Sequence, residues 1–435
     1  MSASLDVPAA SSRPGIPWVP AADLIERYPA IRAATRALTD PLEIEDYGLQ
    51  SMTEASPAKW HLAHTTWFFE TFVLARESDH VPFHPRYGYL FNSYYETVGR
   101  MHSRPKRGLL TRPTVADVQR YRDHVDHAMN RLLGEGPSPE LTAVIEVGLH
   151  HEQQHQELIL TDLKHGLSCN PLRPVYRELP APTEGEASPL TWLEHPGGLM
   201  EIGHQGESFG FDNEFPRHRT YLRSFALGSR LTTCGEYLEF MADGGYQRSD
   251  LWLSAGWDVV QREGWQAPLY WEREGDDPDA PWQCFTLGGM RPVHPAEPVC
   301  HVSLYEADAF ARWRGCRLPT EAEWEVACAP RPLHGNFVER SAFHPVALRQ
   351  ARGPGPHQTF GDVWEWTASA YGPYPGFRPL GGSLAEYNGK FMCNQLVLRG
   401  GSCATPASHA RATYRNFFPP EARWQFSGIR LARDP

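Results

Sequence analysis

The sequence predicts an α+β protein of more than one domain: a four-helix bundle first, then an irregular α+β domain rich in loops. Three observations predict it. Helical patterns dominate from about Ala21 to His165. A turn-rich stretch, Leu179-Pro-Ala-Pro-Thr-Glu-Gly-Glu-Ala-Ser-Pro189, then breaks the pattern as a linker does. Beyond it, short apolar pieces are separated by Gly, Pro and Asn. At 435 residues the chain can hold two or three domains, each with its own core. The expected division is an N-terminal extension (1–20), a helix bundle (21–175), a linker (176–190) and a second domain (191–435).

The first helix is amphipathic from Asp23 to Leu38, with Pro29 expected to kink or split it. The second runs from Pro57 to Ala75, opened by Ser56-Pro57 with proline at its first position. Thr114 caps a third helix reaching Leu133, with Asp117 three residues on. The fourth spans Ala143 to His165. Four helices with one long connection, Glu77 to Pro113, suit a bundle whose core can hold a metal. In the second domain, strands are expected at Gly198–Gly203, Thr220–Leu227, Gln395–Gly401 and Phe426–Leu431. Helices are expected at Cys234–Asp243 and Ser303–Arg314.

Bulk properties exclude some partners. A formal charge of -11 and a pI near 6.0 argue against a nucleic-acid or anionic-membrane surface. The segment Met1 to Pro8 lacks a basic n-region and an apolar h-region, and no apolar run approaches transmembrane length. The eight cysteines are scattered without a CxxC, which suggests reduced thiols and a cytoplasmic location.

His151-Glu-Gln-Gln-His155-Gln-Glu157 carries the chemistry. At ~100° per residue, imidazoles four apart lie ~40° apart on one face, as two ligands of one ion require. His151-Glu152-x-x-His155 matches a zinc hydrolase with Glu152 as general base, although no further ligand follows at metzincin spacing. His151-x-x-x-His155-x-Glu157 matches a non-haem iron pattern, but Glu157 falls ~200° from His155, on the far face. A third imidazole from Trp60-His61-Leu62-Ala63-His64 completes a better site. A helical His pair with polar partners and no metal is the remaining reading.

These motifs carry a resemblance. Trp60-His-Leu-Ala-His64-Thr-Thr-Trp-Phe-Phe-Glu70, Asn92-Ser-Tyr-Tyr-Glu96 and His150-His-Glu-Gln-Gln-His-Gln-Glu157 resemble the DinB-type bundle of ergothioneine-biosynthesis sulfoxide synthases. Arg317-Leu-Pro-Thr-Glu-Ala-Glu-Trp-Glu325, Gly361-Asp-Val-Trp-Glu-Trp-Thr367, Arg399-Gly-Gly-Ser402 and Gly428-Ile-Arg-Leu431 resemble the formylglycine-generating-enzyme domain, of C-type-lectin fold. The order and pairing of the motifs, over roughly residues 20–433, make the likeness specific. The two cysteines used by formylglycine-generating enzymes correspond by spacing to Thr405 and Ala410, and Cys403 is offset. Copper-thiolate oxidase chemistry is therefore not expected, and the domain is read as a scaffold. Trp364, Trp366 and the Glu321, Glu323 and Glu325 series are expected to serve packing and turns.

The resemblance implies a reaction: Fe(II) and O2 join a thiol sulfur to C2 of the imidazole of hercynine, Nα-trimethylhistidine, giving a sulfoxide. It implies His64, His151 and His155 as iron ligands, with His61 in a supporting or packing role. Gln154 matches a partner for the hercynine imidazole and Asn416 one for its amino-acid end; the trimethylammonium carries no N–H, so Phe417 is a candidate face for it. Tyr94 and Tyr95 match a proton-donating tyrosine that steers the outcome toward C–S bond formation. Arg104 and Arg107 match the arginines of the thiol-donor site. Phe418 stands where members using γ-glutamylcysteine carry an acid, which implies free L-cysteine as donor. Other readings are a selenoneine-forming relative on the same scaffold, the zinc hydrolase, and a non-catalytic binder using the second domain alone. The implied partners are hercynine, L-cysteine and O2; no oligomeric state is read from the sequence.

Overall fold

A computed structural model describes residues 21–182, 185–206, 208–273, 275, 277, 280–351 and 353–435. The expected N-terminal extension, residues 1–20, lies outside them. The chain forms two compact units that interleave along the sequence. The first runs to Cys169 and adds His204–Pro216 and Pro373–Lys390; the second holds Asn170–Gly203, Arg217–Gly372 and Phe391–Pro435. The expected division follows the chain in order, whereas two later segments cluster with the helices. Among the described residues no helix is long and apolar enough to cross a membrane.

In the first unit, α1 (Ala21–Ala37), α2 (Ala58–Phe72), α4 (Val115–Glu135) and α5 (Pro139–Ser168) pack together, and a short α3 (Tyr87–Phe91) lies in the long connection. Pro29 sits inside α1, which is one unbroken helix rather than two. Leu24 and Tyr28, both fully buried, anchor the turns before the proline, and buried Ile31 the turn after it. Thr114 and Asp117 form the expected capping box of α4. Its buried residues Val118, Tyr121, Arg122, Val125, Met129 and Leu132 recur every three or four positions, giving one inward face. The last helix begins at Pro139, four residues earlier than expected at Ala143. Ser138 caps it and Pro139 takes the first turn, where its missing N–H costs nothing.

A buried ionic cluster ties three helices. Glu152 of α5 meets Arg32 of α1 at 2.7 Å and Arg122 of α4 at 3.0 Å, and all three side chains are at most 3% exposed. Asp126 also accepts from Arg32 and from the Tyr28 hydroxyl, each at 2.7 Å. Removing one member of such a cluster strands a buried charge and costs about 3–5 kcal/mol.

The second unit carries small sheets. β1 (Trp192–His195) and β14 (Ala432–Arg433) flank β4 (Phe225–Gly228). β2 (Gly198–Ile202) pairs with β3 (His218–Leu222). β5 (Trp271–Arg273), β6 (Trp282–Thr286) and β7 (Gly289–Pro292) form a meander. β8 (Gly335–Asn336) pairs with β9 (Phe360–Gly361). A four-stranded sheet has the order β12 (Asn416–Phe418), β11 (Leu396–Arg399), β10 (Trp364–Ala370), β13 (Ser427–Gly428). The expected strand Thr220–Leu227 is two strands, broken at exposed Arg223 and Ser224. Phe426–Leu431 shrinks to the two residues of β13. Helices α6 (Cys234–Ala242) and α8 (Leu304–Trp313) match expectation, while α7 (Ser254–Glu263) and α9 (Glu321–Cys328) were not foreseen.

The motif acids hold this fold. Thr320 caps α9 in a capping box with Glu323, whose carboxylate also meets Arg317 at 2.8 Å. Glu325 pairs with Arg399 at 2.8 Å, Glu321 with Arg415 at 2.8 Å, and Glu365 with Arg430 at 2.7 Å. The Trp324 indole donates to Glu365 at 2.7 Å. All eight cysteines are free thiols.

Candidate metal centre

The site begins with helix periodicity. Trp60, His61, His64 and Trp67 fall on one side of α2; His151, His155 and Asp162 recur at four and seven residues along α5. Packing of α2 against α5 brings a nitrogen from each of His64, His151 and His155 within 4.8 Å of the others, all three side chains buried. The His64 and His151 Nε2 atoms are 3.2 Å apart.

Neighbouring acceptors assign the protons. His64 Nδ1 lies 2.6 Å from the Phe91 carbonyl oxygen and must donate to it, leaving Nε2 with a lone pair. Asp162 Oδ2 lies 3.0 Å from His61 Nε2, and His61 Nδ1 lies 2.7 Å from His155 Nδ1. The Asp162 oxygen accepts from His61 Nε2, which leaves His61 Nδ1 to accept from His155 Nδ1. His155 Nε2 is then unprotonated. Burial lowers the proton affinity of all three rings: it pushes His151 down to about 3 and holds His64 and His155 well below the ordinary histidine value, helped by neighbouring imidazoles. Three buried imidazoles with a ring nitrogen each within 4.8 Å of the others, two of them with an unprotonated Nε2, fit a divalent transition ion, Fe(II) among them.

The rings are fixed by stacking. His64 lies parallel to Trp60 at 4.5 Å and to Trp67 at 5.4 Å. The Arg107 guanidinium covers the Trp60 ring at 3.4 Å and donates to Ser56 Oγ at 2.9 Å. Tyr95 packs on Trp67 at 5.7 Å and stacks on Tyr94 at 4.6 Å, with the two hydroxyls 3.5 Å apart. Burial pushes Tyr94 up to about 12 and Tyr95 well above its ordinary value, so both hydroxyls keep their protons at neutral pH. Exposed Arg104 donates to the Glu54 carbonyl.

Tyr387, which sequence reasoning missed, belongs to this unit. Its hydroxyl donates to Gln154 Oε1, and its ring lies 5.9 Å from His151. Phe211 stacks on it at 5.3 Å, and Phe209 stacks on His150 at 3.9 Å. No local signal joins residues 233 positions apart. The remaining expected residues lie in the second unit. Asn416 Oδ1 accepts from the Phe417 amide at 2.9 Å, Phe417 stacks on Tyr371 at 4.0 Å, and Phe418 meets Trp424 edge-on at 5.9 Å.

The zinc hydrolase reading fails on Glu152. A general base needs a carboxylate turned to the metal and a pKa near neutrality. Burial alone would raise Glu152, but Arg32 and Arg122 outweigh it and hold the group below its ordinary value. Both oxygens are engaged by those guanidinium groups. Glu157 is likewise not among the residues gathered with the triad.

Fold and site define a class: a helical unit with a buried imidazole triad, followed by a domain of sulfatase-modifying-factor type. Residues 180–338 and 335–435 match the model of the sulfatase-modifying factor enzyme 1-like domain. The chain is 34% identical over 412 residues to the hercynine oxygenase of Mycolicibacterium smegmatis, covering 87% of this chain and 91% of that protein. It is 31% identical over 402 residues to the hercynine oxygenase of Mycobacterium tuberculosis, with 87% and 91% covered. The formylglycine-generating enzyme of Streptomyces coelicolor is 28% identical over 305 residues, covering 59% of this chain. The chain belongs to the hercynine oxygenase family.

Proposed function

We propose that this chain is a non-haem iron(II), O2-dependent sulfoxide synthase of ergothioneine biosynthesis, joining the sulfur of L-cysteine to C2 of the hercynine imidazole. The likeness to a hercynine oxygenase across 91% of that protein's length carries the reading. On this reading the helical unit is a DinB-type bundle, and His64, His151 and His155 hold Fe(II). Bound Fe(II) supplies O2-activating redox chemistry and open positions for small molecules. The reaction balances without another reductant: the thiol and imidazole C2 each lose a hydrogen, a C–S bond forms, one oxygen stays on sulfur and the other leaves as water.

Each remaining residue has a stated task. Gln154, oriented by Tyr387, offers its amide NH2 to an imidazole nitrogen of hercynine. Asn416 addresses the amino-acid end, and the Phe417 ring the trimethylammonium. Arg104 and Arg107 take the carboxylate of the thiol donor. Tyr94 and Tyr95 deliver a proton, a role suited to hydroxyls that burial keeps protonated.

An aerobic assay of the Fe(II)-loaded protein with hercynine and L-cysteine tests this. Mass spectrometry should show the sulfoxide, and Tyr94→Phe and Tyr95→Phe should divert product toward cysteine sulfinic acid while O2 uptake continues. Absence of sulfoxide from the wild-type protein would sink the functional reading. Unchanged product ratios in both variants and their double variant would remove the tyrosine assignment alone.

A further inference from the structure

A second cluster of ligand-type side chains lies in the helical unit, among residues the proposed reaction does not use. Glu70 of α2, His80 of the connection after it and His124 of α4 bring one ligand atom each within 4.8 Å of one another. The His80 side chain is 4% exposed, and its Nε2 has no hydrogen-bond partner. That nitrogen lies 3.4 Å from Glu70 Oε1. This is long for a charge-assisted hydrogen bond, which prefers about 2.7–2.9 Å. It is close to the ~3.3 Å between two ligands of a tetrahedral ion with bonds of about 2.0 Å.

The surroundings orient the ligands. Tyr121 donates to Glu70 Oε2 at 2.6 Å and the Phe83 amide to Oε1 at 2.9 Å, so the carboxylate plane is fixed. Burial raises the Tyr121 pKa well above its ordinary value, and the hydroxyl stays a donor. His124 Nε2 sits 3.1 Å from the Val81 carbonyl; a proton there leaves the other ring nitrogen unprotonated, the form a metal takes. Two imidazoles and one carboxylate suit a borderline divalent ion better than calcium or magnesium, which take oxygen ligands. His124 stands at an exposed position, so ions and a water ligand have access.

We propose that Glu70, His80 and His124 form a second divalent-metal site, of zinc type, distinct from the imidazole triad. The ion clamps the start of the connection between α2 and α4 to both helices. It adds to the ties already there, the Phe83 ring on Tyr121 at 5.3 Å among them, and the ion pair of Asp79 with Arg131 at 2.9 Å, both side chains exposed, is worth little in water.

Titrating the metal-free full chain with Co(II), without oxygen, tests this. Wild-type protein should take two ions per chain. His124→Ala and His80→Gln should each take one, with the second affinity weakened at least tenfold and the first unchanged. His64→Ala should also keep one, which separates the two sites. Hydrogen exchange over residues 77–86 should slow on addition of Zn(II) to the wild type and not to His124→Ala. An ion count that His80→Gln and His124→Ala both leave at the wild-type value, or a single wild-type ion that His64→Ala removes and His124→Ala keeps, would overturn the site, whatever the fate of the oxygenase reading.

Discussion

His155 shows how a single ring can depend on residues that never touch an ion. Its Nδ1 faces His61 Nδ1 at 2.7 Å, and His61 in turn faces Asp162 at 3.0 Å. Asp162 also accepts the Ser56 amide at 2.7 Å, which ties the relay to the start of α2. The relay selects the tautomer of His155 that turns an unprotonated Nε2 toward His64 and His151. His61 is therefore a positioning residue. Loss of such an outer partner typically weakens metal binding 10–100-fold. His61→Phe fills the space and removes the hydrogen bonds. Its Co(II) affinity at the triad should fall by that order at a temperature where circular dichroism shows the variant still folded, although the stranded Asp162 lowers the melting temperature. An affinity within twofold of wild type would show that His155 needs no such partner.

Among elements, α5 is buried along most of its length, and its glycines are placed accordingly. A Cβ built on Gly148 would lie 2.6 Å from Phe69 Cε1 and 2.9 Å from Phe68 Cε1, both rings of α2. Close approach of α2 and α5 there sets the spacing that the triad uses one turn further on. Gly134, near the end of α4, has nothing within 4 Å of such a Cβ. Alanine in a helix gains up to about 1 kcal/mol over glycine, whereas overpacking a buried contact costs about 1–3 kcal/mol. Gly134→Ala should raise the melting temperature and Gly148→Ala lower it; the same sign for both would refute the packing argument. The helices themselves were legible because their signals are local. The Thr114–Asp117 box and the four-residue spacing of His151 and His155 need only a few neighbours. The early start of α5 at Ser138-Pro139 hid because the apolar pattern strengthens only later. The Glu323 box that opens α9 is present in the sequence, but the eight-residue helix behind it is too short to show an apolar period. Tyr387, Asp162 as partner of His61, and the ties of Glu152 were not legible, since each depends on helices or segments meeting in space.

At the scale of the whole molecule the proposed function leaves one choice, the sulfur donor, and the residues proposed for it come from both halves of the sequence. Arg107 in the helical unit is 3% exposed and held by Trp60 and Ser56, so its charge is fixed in place instead of following a long flexible ligand. Burial pushes its pKa down to about 9, which still leaves it protonated at neutral pH and suited to a carboxylate. Phe418 in the second unit is half-buried, with an apolar neighbour in Trp424. The ammonium of L-cysteine lies on the cysteine itself, whereas γ-glutamylcysteine carries its ammonium at the far end of the glutamyl part. A phenyl ring offers no anion for it, and a desolvated, unpaired ammonium costs on the order of several kcal/mol. We therefore expect kcat/KM for L-cysteine to exceed that for γ-glutamylcysteine at least tenfold at fixed hercynine, and Phe418→Asp to narrow the gap. Steady-state kinetics with both thiols decide the matter. A higher kcat/KM for γ-glutamylcysteine in the wild type would remove Phe418 from the donor site and leave the metal assignment untouched.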